Sequence, residues 1–92
     1  MSLIGVAVKA GTLSTNLEKL IRSGQGSSGL AARIGTTSSN LTAFVNGTAS
    51  PGIAHALGTT TSNAQVLRNM IGKEGAIGLI IGLACGLDRE GD

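Results

Sequence analysis

The chain says nearly the same thing three times. Gly11, Gly35 and Gly58 each open a matching polar segment: Gly11-Thr12-Leu13-Ser14-Thr15-Asn16, Gly35-Thr36-Thr37-Ser38-Ser39-Asn40 and Gly58-Thr59-Thr60-Thr61-Ser62-Asn63. The residues ahead of each anchor also match, as Gly5-Val6-Ala7-Val8-Lys9-Ala10, Gly29-Leu30-Ala31-Ala32-Arg33-Ile34 and Gly52-Ile53-Ala54-His55-Ala56-Leu57. The anchors lie 24 and 23 residues apart, and one more step of 24 lands on Gly82, preceded by Ile77-Gly78-Leu79-Ile80-Ile81. Self-similarity at such a period marks an array of supersecondary units, each unable to bury its apolar face alone. The expectation is a single domain over residues 1–92, with repeats at about 1–24, 25–48, 49–73 and 74–92. That makes three full units and a fourth half-unit.

Each unit reads as two short helices. The first, such as 29–34 or 52–57, is closed by its anchor glycine, which suits the left-handed position just past a helix end. Ser50-Pro51 reads as a helix start, with serine as cap and proline at the first position. The second helix follows the hydroxyl-rich segment, with Thr15, Ser39 and Ser62 as expected N-caps. Glu18 and Gln65 stand three residues beyond two of them, as a capping box requires. Apolar residues then fall at helical spacing: Leu17, Leu20, Ile21; Leu41, Phe44, Val45; Ala64, Leu67, Ile71. Gly24, Gly47 and Gly72 are expected to end these helices. The fold class is therefore all-α, built from tandem short helical hairpins. Its core is expected to take in Leu17, Leu20, Leu30, Ile34, Leu41, Phe44, Ile53, Leu57 and Leu67.

Composition narrows the chemistry. Apolar residues make up 41% of the chain and charged ones 13%, which suits a modest core and argues against a disordered tail. Cys85 and His55 are each the sole residue of their type, so neither a disulfide framework nor a four-ligand zinc site is expected. No Gly-x-Ser-x-Gly elbow and no paired carboxylates outside the tail suggest catalysis, so the protein reads as a non-enzyme without a cofactor. Gly24-Gln25-Gly26-Ser27-Ser28-Gly29 has the spacing of a dinucleotide loop but no strand before it. The apolar run Ala76–Cys85 would rise only about 15 Å as a helix, half a bilayer core, so a spanning segment is not expected. No basic stretch precedes an apolar one at the N-terminus, and the expected location is the cytoplasm or a virion or similar particle.

Charge is unevenly spread. Residues 1–73 carry six bases against Glu18, a net of +5, while residues 74–92 carry Arg89 against four acids, a net of −3. A basic body with an acidic end suits either head-to-tail contact between copies or a nucleic acid. Repeat arrays need polar caps at their ends, and none is visible in this chain. The first functional expectation is therefore a self-assembling structural subunit of a filament, tube or shell, with the protein itself as partner. Its expected interface is Ile77, Ile80, Ile81, Leu83 and Leu87 against Leu3 and Ile4. Gly78, Gly82 and Ala84 would let another backbone come close. The alternative for Ala76–Leu87 is that it folds back as the central helix of a compact domain.

Leu30, Ala31, Ile34, Gly35, Leu41, Phe44, Asn46-Gly47 and Pro51 carry a second expectation. Over residues 29–51 this pattern resembles the helix-turn-helix of the lambda repressor and Cro family. The resemblance implies a first helix at 29–34, a recognition helix at about 37–46, and a DNA-binding transcriptional regulator as the alternative function. Contacts to bases and phosphates would then fall to Ser38, Ser39, Asn40 and Thr42, with Arg33 toward the DNA backbone. The recognition segment holds no Arg or Lys, the residues that most often read guanine.

Overall fold

Left-handed glycines cut this chain into short helices. Gly11, Gly35 and Gly58 have φ of 73°, 96° and 74°, and each closes a helix of seven or eight residues. A computed structural model describes residues 2–86 and contains helices α1 (Leu3–Ala10), α2 (Ser14–Ser23), α3 (Ser28–Ile34), α4 (Ser38–Val45), α5 (Pro51–Leu57) and α6 (Thr61–Cys85). No strand occurs among the described residues, and the protein is all-α.

The caps lie two residues earlier than the sequence suggests. Thr37 and Thr60 are the N-caps of α4 and α6, and their hydroxyls accept from the backbone N–H of Asn40 (3.1 Å) and Asn63 (3.2 Å). Leu13 holds the corresponding place before α2 and makes no side-chain cap bond. Thr15, Ser39 and Ser62 lie inside their helices instead. The reason is geometric: after the left-handed glycine only two residues precede the next helix, so the second of them must be the cap. With the frame moved, Glu18 and Gln65 no longer serve as capping-box partners. Glu18 pairs with Arg22 at 3.1 Å on the surface of α2. The Gln65 side chain accepts from Ala49 N–H (2.9 Å) and donates to the Gly47 carbonyl (2.8 Å), tying α6 to the α4–α5 loop.

A second recurrent bond follows each anchor glycine. The side-chain amides of Asn16, Asn40 and Asn63 donate to the hydroxyls of Thr12, Thr36 and Thr59 at 2.8, 3.0 and 3.1 Å. The three turns are thus alike in local bonding. Their packing is not that of a linear array, in which each unit meets only its neighbours. Helix α6 instead packs against all five other helices.

Gly72 ends a helix, as expected, and a second helix begins directly beyond it, so that α6 is two helices joined at a sharp bend. It has φ 74° and ψ −178° within α6, which continues on its far side. We call residues 61–71 and 73–85 the two arms of α6. Arg68 on the first arm donates to the carbonyls of Phe44 (2.7 Å) and Val45 (2.8 Å) at the end of α4. The second arm ends against Val6 of α1 and Arg33 of α3.

The core is apolar throughout, with no buried polar residue among those described. Leu17, Leu20, Leu30, Leu41, Phe44 and Ile53 are fully enclosed, as their frame positions require. Ile34 and Leu57 are half-buried against this core, and Leu67 is also half-buried. Ile21 departs from its expected stripe and is half exposed.

Candidate assembly and nucleic-acid surfaces

The assembly residues divide sharply by exposure. Ile80 is fully enclosed and Ile77 is 9% exposed, so both belong to the subunit's own core. Of the two alternatives for the 76–87 run, its described residues 76–86 follow the folded-back one: the second arm of α6 lies among the subunit's own helices, with Ala76 and Ala84 also inside. Ile81 and Leu83 are half-buried, and Leu87 lies outside the described residues. Leu3 and Ile4 do face outward, at 37% and 67% exposure.

Among the described residues, five further large apolar side chains stand in the open: Val8, Leu13, Ile21, Val66 and Met70. Ile4 and Val8 are four apart on α1, and Val66 and Met70 are four apart on α6, so each pair shares a helix face. The signal for α1 was present in the sequence. Leu3, Ile4, Val6, Ala7, Val8 and Ala10 are more apolar positions than one buried stripe can use. Ala7 and Ala10 take the core side and leave Ile4 and Val8 outside.

On the nucleic-acid side, the hairpin formed by α3 and α4 spans 28–45, close to the expected limits. Its polar residues are largely occupied within the chain. The Thr42 hydroxyl accepts from Gly26 N–H (2.9 Å) and donates to the Ser38 carbonyl (2.9 Å). The Asn40 amide is held by Thr36, as described. Arg33 Nε donates to the Ala84 carbonyl at 3.0 Å, so this guanidinium caps the end of α6. Ser39 is exposed, and Ser38 is half-buried at an open cleft of about 420 Å³ shared with Gln25, Gly26, Thr42 and Ala43. The glycine-spaced segment at 24–29 therefore serves as a close connector to α4. A Cβ at Gly26 would come within 2.5 Å of Leu41 Cβ.

Of the other cations among the described residues, Lys9 is on α1, Lys19 and Arg22 are on α2, and Lys73 lies beside Gly24. His55 is exposed on α5, and Cys85 is half-buried with its thiol 3.8 Å from the Val6 carbonyl. Among the described residues, no three His, Cys, Asp or Glu side chains come together as a metal would need. No helix is long and apolar enough to cross a membrane. Comparison with protein families, curated proteins and solved structures found no match to this chain.

Proposed function

We propose that this protein is a non-enzymatic structural subunit that associates with further copies of itself. The observation that carries this reading is the set of seven exposed large apolar side chains among the described residues, four of them paired at helical spacing on α1 and α6. Apolar surface gathered on a helix face gains free energy when a partner covers it, at roughly 25 cal/mol per Å². Leu3 and Ile4 remain in the proposed interface, Val8, Val66 and Met70 join it, and Ile77 and Ile80 leave it. The partner in this reading is a second copy, with apolar burial outweighing the repulsion between two bodies of like charge.

Sedimentation velocity tests this directly. The wild-type protein is expected to form dimers or larger species as its concentration rises through the micromolar range. Ile4→Lys/Val8→Lys is expected to return it to monomer with an unchanged helical circular dichroism spectrum. A wild-type protein that stays monomeric at millimolar concentration would sink the reading.

A second reading, a helix-turn-helix DNA binder, is favoured by one feature: helices at 28–34 and 38–45 flank a turn of three residues at Gly35–Thr37. Fluorescence anisotropy with duplex DNA at low salt separates the two. Low-micromolar binding that weakens steeply as salt rises, and that weakens further in Ser39→Glu, would favour the DNA reading.

A further inference from the structure

We propose that copies of this protein associate by exchanging the second arm of α6, with Gly72 as the hinge; this rests on the self-association reading and names its route. Gly72 adopts φ 74° with ψ −178°, a backbone conformation open in practice to glycine alone. A Cβ there would touch nothing within 4 Å, so the backbone conformation, and not lack of room, requires the glycine. Gly75 supplies an independent sign of the same bend. A Cβ on it would lie 2.6 Å from Ile71 Cβ and 3.1 Å from Ile71 Cγ1. In a straight helix, Cβ atoms four residues apart stand about 5–6 Å from each other. The bent form of α6 therefore needs glycine at both 72 and 75, and the straight form needs it at neither.

Straightening α6 has one geometric consequence. As one rod its 25 residues would extend about 37 Å. Removing the bend would turn the second arm away from α1 and α3, against which it ends in the subunit. It would carry out an apolar face made of Ala76, Ile77, Ile80 and Ala84. It would also break the bond from Arg33 to the Ala84 carbonyl and the approach of Cys85 to Val6. The slot left behind matches one object in shape and chemistry: the same arm from a second copy. Exchange remakes every closed contact between chains, which makes it a low-cost route to association, and it brings two bodies together so that the exposed Ile4, Val8, Val66 and Met70 meet between them. Relief of the bend favours exchange, and dilution opposes it.

The test uses Val6→Cys with the natural Cys85, joined by a short bismaleimide. Bridging within one chain reports a closed arm, and bridging between two chains on a denaturing gel reports an exchanged one. Associated wild-type-like protein is expected to bridge between chains. Gly72→Ala and Gly75→Ala, each placed in the same background, are expected to lower the dimer dissociation constant at least tenfold and to raise the interchain product in parallel. Circular dichroism checks that each variant folds, and Gly75→Ala carries the test if Gly72→Ala does not. Dimers that bridge only within chains would overturn arm exchange and leave self-association standing. Variants that stay monomeric and internally bridged at millimolar concentration would overturn arm exchange as well. A monomeric Val6→Cys parent beside interchain-bridged glycine variants would support the exchange route while removing association as the native function.

Discussion

Arg68 does more for this fold than its place on a half-exposed helix face suggests. Its Nε and Nη2 reach two successive carbonyls in the last turn of α4: that of Phe44, which also accepts from Gly47 N–H at 3.1 Å, and that of Val45. A planar fork can serve both acceptors at once, and a lysine ammonium cannot match that geometry. Arg68→Ala is expected to lower stability by about 1–3 kcal/mol, the scale of hydrogen bonds to a charged group. Arg68→Lys should recover less than half of the loss. Urea midpoints with unchanged slopes would measure both; a neutral Arg68→Ala would show that water serves these carbonyls equally well. Residues of this kind are not legible in sequence, because Arg68 and Gln65 find their partners 16 to 24 positions away across packed helices. Phe44 was legible, since an aromatic at helical spacing from Leu41 has one apolar face to join.

At the scale of elements, the glycine anchors carried most of the readable information, and the caps carried less. The hydroxyl runs after Gly35 and Gly58 offer several cap candidates, and only the two-residue reach from the left-handed turn selects Thr37 and Thr60. Thr60→Ala is therefore expected to cost about 1 kcal/mol, while Ser62→Ala should stay within about 0.5 kcal/mol of neutral. Leu13 gives the reciprocal experiment. It occupies the cap position of α2 without a cap bond and is 67% exposed. Leu13→Thr should raise stability by about 0.5–1 kcal/mol in thermal or urea unfolding. A destabilised Leu13→Thr would mean that the exposed leucine packs on something this chain does not itself provide.

The arrangement of the whole molecule was the least legible level. Matching segments at a steady period suggest stacking, yet nothing local to Ala76–Cys85 says whether it docks on another copy or folds into its own. The bend at Gly72 decides this in the subunit by turning the second arm of α6 back among the other helices. What remains for a partner is exposed apolar surface on a body whose described residues carry six bases against Glu18 and Glu74, a net of +4. A standard interface covers about 800 Å² on each copy, roughly one sixth of this molecule's 5131 Å². Such an interface, formed between like-charged bodies through Ile4, Val8, Val66 and Met70, has a definite salt signature. Screening weakens the repulsion and leaves apolar burial intact. The association constant from sedimentation equilibrium should therefore hold or rise between 0.05 and 0.5 M NaCl. A fall across that range would instead put the contact between the acidic end of one chain and the basic body of the next, and Lys9→Glu or Lys19→Glu would then weaken association more than Ile4→Lys does.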